Sequence, residues 1–207
     1  MTTFLLIRHA TNPTVGHTLA GRAAGVVLDA AGRAQAAALV PRLAALPVAA
    51  VCSSPLERAR ETAAPLAAAH GLEVALAKEL LEVEPGEWTG RSFDSLTASE
   101  APGWREWNTF RSGTRPPGGE HLLEVQVRVV RLVERLCAEH GDTAVIAVVS
   151  HADVIRTAIG HYIGLPIDLQ HRLDVAPASV SVLRVERWGA KLLRLNDTGP
   201  LDPAALA

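Results

Sequence analysis

Near its N-terminus the chain reads Phe4-Leu5-Leu6-Ile7-Arg8-His9: four consecutive apolar residues, then an abrupt change to a cation and an imidazole. A run with no polar face is a strand covered on both sides, as strands of a parallel sheet are. Two later runs repeat the pattern. Val48–Cys52 leads into Ser53-Ser54-Pro55, where a serine N-cap and a proline at the first helical position start a helix with Arg58 in its first turn. Thr143–Val149 is the most apolar strand of the sequence and is followed at once by Ser150-His151.

Between these strands the apolar residues recur at helical spacing. Ala30–Leu46 is expected to be a helix, with Gly32 near its start and Pro47 after its end. The helix after Ser53 is expected to run to about His70 and stop at Gly71. Leu122–Glu139 reads as a long amphipathic helix ending at Gly141, and Asp153–Ile163 as one closed by Gly164 and Pro166. Glu73–Ala77 is a weaker strand candidate. Ser179–Glu186 and Lys191–Leu195, joined by Arg187-Trp188-Gly189-Ala190, read as a closing hairpin. Alternating strands and helices imply an α/β three-layer sandwich, a mainly parallel central sheet with helices on both faces. The 207 residues fit a single domain, 1–207, with a Gly-, Pro-, Ser- and Trp-rich excursion at about 85–119 that has short helical pieces near Ser92–Ser99 and Trp104–Phe110. The tail from Gly199 is expected to fray.

The composition excludes several function classes. With 20 Lys and Arg against 22 Asp and Glu, the net charge of -2 gives no general attraction to nucleic acid or to an anionic membrane surface. Any phosphate binding must come from a local cluster of cations. Two cysteines, Cys52 and Cys137, form no disulfide framework or zinc motif, so no metal is expected and a reducing cytoplasm is the default compartment. The first apolar run is too short for a signal peptide or a membrane span. The sequence leaves the oligomeric state open, a homodimer being one option.

In a parallel sheet, ligands gather at the carboxyl ends of the strands, where loops turn into helix N-termini. Three strands here end in Arg8-His9, in Ser53-Ser54 ahead of Arg58, and in Ser150-His151. Their convergence on one sheet edge is a phosphate-site signal that none of them gives alone.

These residues resemble the motifs of the histidine phosphatase (phosphoglycerate mutase-like) superfamily. Arg8-His9-Ala10 is similar to its Arg-His-Gly signature, and Ser53-Ser54-Pro55-Leu56-Glu57-Arg58-Ala59 with Thr62 to its second motif. Glu82 ahead of Pro85-Gly86-Glu87-Trp88-Thr89-Gly90 resembles the acid-bearing segment. Pro117-Gly118-Gly119-Glu120 resembles the loop before the long helix, and Ser150-His151 the second catalytic histidine. The ordered set runs through nearly the whole chain. Ala10 and Ala152 stand where glycine is usual, and His121 where serine is common.

The resemblance implies His9 as a nucleophile that forms a phosphohistidine. It makes Arg8, Arg58 and His151 ligands of the phosphoryl oxygens, Glu82 the acid and then base, and Asn12 and Gly21 further substrate-binding residues. The implied activity is a phosphomonoesterase acting on a small phosphorylated metabolite without cofactor. The alternatives are a cofactor-dependent phosphoglycerate mutase and a catalytically inactive phosphate-binding regulatory protein. The compact stretch from Thr89 to Gly119 favours hydrolysis over mutase chemistry. Elementary electrostatics agrees: a phosphoryl transition state spreads negative charge over its equatorial oxygens, and a cation about 4 Å away is worth roughly 4 kcal/mol at an effective dielectric near 20. Glu79, Glu84 and Glu87 compete with Glu82 on residue type alone. Arg111 and Arg115 read by default as solvated loop charges, with recognition of a second anionic group as the alternative, and Trp88, Trp104 and Trp107 as small-domain packing, with the lining of a substrate mouth as the alternative. His121 is evenly placed between a pocket wall and a loop.

Overall fold

In the computed structural model, which describes residues 1–199, the runs that are apolar on both sides become the sheet. The described residues form strands β1 (Thr2–Arg8), β2 (Val48–Ser53), β3 (Val74–Leu76), β4 (Val145–Ser150), β5 (Val180–Glu186) and β6 (Gly189–Asp197). Their spatial order is β3-β2-β4-β1-β5-β6. The pairs β3/β2, β2/β4 and β4/β1 are parallel, while β1/β5 and β5/β6 are antiparallel. The sheet is therefore mainly parallel, with a hairpin closing one side across the two-residue turn Arg187-Trp188.

The two-residue period of a strand divides the core into two layers. Phe4 and Leu6 of β1 join Ile146 and Val148 of β4 on one face, and Leu5 and Ile7 join Val145, Ala147 and Val149 on the other. Helices cover the first face: α5 (Leu122–His140) supplies Leu122, Val125, Val129, Leu132, Val133 and Leu136, and α6 (Ala152–Ile163) supplies Val154, Ile155, Ala158 and Ile159. Those residues repeat every three or four positions, which makes one apolar stripe per helix. The opposite face is covered by α1 (Ala30–Leu43) and α2 (Glu57–Ala69), through Ala36, Leu39, Leu43, Ala59, Ala63 and Leu66. Two short helices, α3 (Phe93–Ala98) and α4 (Trp104–Thr109), lie between β3 and α5. Among the described residues no helix is long and apolar enough to cross a membrane.

Three local expectations change. The helix α1 is capped by Asp29, which accepts from Gly32 N at 2.7 Å, and stops at Leu43, three residues early. The helix α2 begins at Glu57 with Leu56 at its N-cap position, so no serine caps it. Ser54 Oγ instead meets the imidazole of His151, a long-range use that local pattern does not reveal. His121 is the N-cap of α5: its Nδ1 accepts from Leu123 N at 3.1 Å while Glu124 accepts from His121 N at 2.8 Å, a reciprocal cap away from the cleft. The tail expected to fray starts at Gly199, whose N donates to Asp197 Oδ1 at 2.8 Å and whose O accepts from Arg42 Nε at 2.7 Å; its remainder, residues 200–207, lies outside the described part.

Candidate active site

The parallel register brings the ends of β1, β2 and β4 to one sheet edge: Arg8 pairs with Ser150 and Ser53 with Val149. At that edge a cleft of about 430 Å³ is lined by Arg8, His9, Gly21, Arg58 and Glu82, and by residues of the 93–111 stretch and the start of α6. Four of the five residues of the implied catalytic set thus share one wall. The fifth, His151, is fully buried behind His9, with ring centroids 5.1 Å apart.

Each side chain is held from a different element. His9 Nδ1 lies 2.8 Å from Ala10 O. A carbonyl only accepts, so Nδ1 carries the proton and Nε2 keeps its lone pair. Burial, the Arg58 cation and the Arg8 cation push the His9 pKa down to about 3, against the opposing Ala10 hydrogen bond, so the ring is neutral across the physiological range. Ala10 N donates to Thr62 Oγ1 at 2.9 Å, and Thr62 Oγ1 donates to Arg58 O at 2.7 Å. Thr62 therefore ties the loop after His9 to α2. Arg58 Nη2 donates to Gly21 O at 2.7 Å, and Arg8 Nη1 to Val175 O at 2.6 Å. Gly21 can offer that carbonyl because its φ is +50°, and a Cβ there would sit 2.3 Å from Pro85 Cδ.

These anchors leave donors over. Arg8 Nε, Arg58 Nη1, His151 Nδ1 and Asn12 Nδ2 are buried with no hydrogen-bond partner among the described residues. Asn12 is 3% exposed and its Oδ1 accepts from both Thr14 N (3.0 Å) and Thr14 Oγ1 (2.6 Å), which fixes its amide nitrogen as the unused end. A buried polar group left unpaired costs roughly 1–3 kcal/mol, and those of Arg8, Arg58 and His151 gather around His9, an arrangement suited to an anion.

The acid side is built by a separate clamp. Glu120 accepts from Arg22 Nη2 at 2.7 Å and from Arg128 Nε at 2.9 Å. Arg22 Nε in turn donates to Glu82 O at 2.8 Å, and Arg128 donates to Glu79 O. The Pro-Gly-Gly-Glu loop thus fixes the backbone of Glu82. Gly119 packs so tightly there that a Cβ would lie 2.4 Å from Glu84 O. The Glu82 carboxyl is pushed up to about 7, by burial first and the Asp153 carboxylate second, with the Val83 N–H, Arg58 and Arg8 opposing. Of its competitors, Glu79 pairs with Arg135 at 2.7 Å and Glu84 with Arg22 at 3.8 Å, and Glu87 is exposed.

Asp153 is a cleft residue that sequence reasoning missed, and Arg111, read there by default as a loop charge, lines the cleft beside it. Asp153 Oδ1 accepts from Arg111 Nη1 at 2.9 Å and from Arg156 Nη1 at 3.3 Å. Burial pushes the Asp153 carboxyl up, but the two arginines outweigh it and hold it below its ordinary value. Two carboxyls in one cleft are thereby separated: Asp153 stays ionised and Glu82 takes the proton. Arg111, expected to be a solvated loop charge, stacks over Trp107 at 5.1 Å. Its signal lay in that tryptophan four residues earlier, and Asp153's in following the second histidine with Arg156 three positions on. Arg115 is on the surface, as expected, paired with Glu124 at 2.7 and 2.8 Å. Trp88 packs edge-on against Trp104 (5.4 Å) and Trp107 (6.3 Å), while Trp104 and Trp107 also reach the cleft wall. Cys52 is buried and its thiol is pushed up to about 11, chiefly by burial, so it is an inert strand residue.

The sequence profile described as the histidine phosphatase superfamily (branch 1) matches residues 4–198. The bifunctional protein Rv2228c of Mycobacterium tuberculosis is 35% identical over 155 residues, 74% of this chain but 42% of that protein, so the match spans about two fifths of that relative. Phosphoserine phosphatase 1 of Hydrogenobacter thermophilus is 29% identical over 204 residues, covering 96% of this chain and 93% of its own. Among solved structures, the mycobacterial glucosyl-3-phosphoglycerate phosphatase Rv2419c superposes with a TM-score of 0.84 at 26% identity, covering 94% of this chain and 98% of its own.

Proposed function

Because this chain belongs to the histidine phosphatase superfamily (branch 1), we propose that it is a metal-independent phosphomonoesterase working through a phosphohistidine on His9. The observation that carries the reading is the set of buried, unpartnered donors on Arg8, Arg58 and His151 beside a neutral imidazole whose free nitrogen is Nε2. The phosphatases similar in sequence and structure support the reaction class.

The steps follow from the geometry. His9 Nε2 gives its lone pair to phosphorus while the ester P–O bond breaks. The departing alkoxide takes the proton of Glu82, which a carboxyl at about 7 still holds at neutral pH. Charge on the equatorial oxygens is met by Arg8 and Arg58, which remain protonated at any relevant pH and bind oxygens in a fixed fork. Ser54 Oγ lies 2.9 Å from His151 Nε2, so a hydroxyl that donates there leaves His151 Nδ1–H for the phosphoryl group. Water then loses a proton to the Glu82 carboxylate and attacks phosphorus. The P–N bond breaks, releasing phosphate and neutral His9. Positive charge from arginine and a neutral nitrogen nucleophile supply what a metal ion supplies in other phosphatases. The substrate is a small phosphate ester, with the cytoplasm as compartment.

The test is a panel of metabolite phosphates with and without EDTA, beside a mutase assay primed with 2,3-bisphosphoglycerate, and rapid acid-stable or base-stable trapping of the phosphoenzyme. Turnover unaffected by EDTA, with a base-stable, acid-labile phosphoenzyme lost in His9→Ala, is expected. Isomerase turnover exceeding hydrolysis, or a strict metal requirement, overturns the reading.

A further inference from the structure

One of the cations beside His9 is aimed from outside the cleft. Arg8 Nη1 donates to Val175 O at 2.6 Å, and Arg8 Nε is buried without a partner among the described residues, so this carbonyl sets the direction of the guanidinium. Val175 leads into a tight turn. Ser179 N donates to Ala176 O at 3.1 Å, with Pro177 second in the turn and Ala178 third at a φ of +55°. Glycine is the usual residue at such a third position. Ala178 N reaches back to donate to Arg8 O at 3.1 Å, so one turn holds both the backbone and the head of Arg8.

The turn is braced from β6. Val180 pairs with Asp197 and Val182 with Arg194, so Leu195 and Asn196 together stand against the single Ser181 of β5. In this bulge Asn196 takes a φ of +55°, its N donates to Ser181 Oγ at 3.0 Å, and its Oδ1 accepts from Ala176 N at 2.6 Å. Arg42 of α1 spans the same two segments, donating to Ala178 O at 3.1 Å and to Asp197 O at 2.8 Å. Asn196 is not among the residues lining the cleft. Resting on the phosphomonoesterase reading above, we propose that Asn196 is a positioning residue for phosphoryl binding. Its side-chain oxygen holds Ala176 N, and through it the Val175 carbonyl, which aims Arg8 at the phosphoryl oxygens.

The test is a double-variant cycle, read as kcat/KM on p-nitrophenyl phosphate and as inhibition by inorganic phosphate. Asn196→Gly keeps the left-handed backbone and removes the acceptor, whereas Asn196→Asp keeps an acceptor in place. A misplacement of about 1 Å can cost up to roughly 10²-fold, so Asn196→Gly is expected to lower kcat/KM on the order of tenfold and to weaken phosphate inhibition in step. Asn196→Asp should restore both towards wild type. In an Arg8→Ala background the loss from Asn196→Gly should nearly vanish, because the group it aims is gone. A merely structural role would lower activity alike in both backgrounds. Losses that multiply in the double variant overturn the proposal, as do equal losses in the Gly and Asp variants, or a folded Asn196→Gly enzyme with wild-type kcat/KM. Asn196→Ser, whose shorter side chain falls short of Ala176 N, runs through the same cycle if the glycine variant does not fold. Hydrolysis that survives His9→Ala would instead sink the underlying reaction, so the two failures are distinguishable.

Discussion

Replacing Glu82 by glutamine keeps the shape of the side chain and removes the one proton the leaving group needs. A glutamate at its ordinary value of 4.5 would be protonated in about one molecule in three thousand at pH 8, whereas a carboxyl at about 7 is protonated in about one in ten. At pH 7 the gain is about 150-fold over an unperturbed glutamate. For an alkyl phosphate, kcat/KM is therefore expected to be highest below pH 7 and to fall about tenfold per pH unit well above it. The direction follows from the role: the protonated form is active, so activity is lost as pH rises through the raised pKa. Its low-pH limit is not set by His9, which stays neutral down to about 3. Glu82→Gln should lower kcat/KM on an alkyl phosphate by roughly 10²–10⁴ and abolish the alkaline limb. On p-nitrophenyl phosphate, whose phenolate departs without a proton, the loss should be a few-fold at most. Steady-state assays on both esters from pH 5 to 9 read the outcome directly. Equal losses on the two esters, or an alkaline limb that persists in the variant, would refute the assignment of the proton to Glu82.

Other outcomes follow from the same geometry. His9→Ala should eliminate turnover and phosphoenzyme together; activity within tenfold of wild type would remove His9 as nucleophile. Gly21→Ala puts a methyl group against Pro85 in a left-handed conformation and displaces the carbonyl that holds Arg58. It should raise KM for every ester, including p-nitrophenyl phosphate, while inhibition by inorganic phosphate weakens in parallel. Asp153→Asn should bring the alkaline limb to lower pH, because the carboxylate that raises the Glu82 pKa is gone; a limb that moves upward would contradict the split between the two carboxyls. Leu39→Ala, at a fully buried position in the layer under α1, should cost about 2–5 kcal/mol in denaturant unfolding while sparing kcat.

The sequence made the phosphate half of the site legible because each of its parts is local. An apolar strand that ends in Arg8-His9 or Ser150-His151 states both its burial and its polar exit within a few residues. Glu82 was separable from Glu79, Glu84 and Glu87 only by its place in the motif, since its clamp is assembled from Arg22, Glu120 and Arg128, far apart in the chain. Ser54 was read as a helix cap because a serine before proline usually serves one, whereas His151, 97 positions away, competes for it here. Asp153 was the largest omission, and Arg111 was legible only as the alternative to a solvated loop charge. Each looks like an ordinary surface charge in its own segment, and only the return of the 93–111 stretch over α6 turns them into a buried pair. Nothing in local periodicity encodes that contact.

The placement of β1 has a consequence for how the molecule opens. It lies between β4 and β5, so its amides are hydrogen-bonded on both sides, and the ladder continues into His9 N, which donates to Ser150 O at 2.8 Å. Amide hydrogens there are expected to be among the slowest in the protein to exchange with solvent, as hydrogen-exchange measurements would show. The chain around Glu82 is held by the ion pairs of Glu120 with Arg22 and Arg128, by Ser150 Oγ donating to Leu80 O at 2.9 Å, and by the buried side chains of Leu80 and Val83. The proposed nucleophile, His9, follows directly on the β1 ladder, so slow amide exchange is expected at its own N–H.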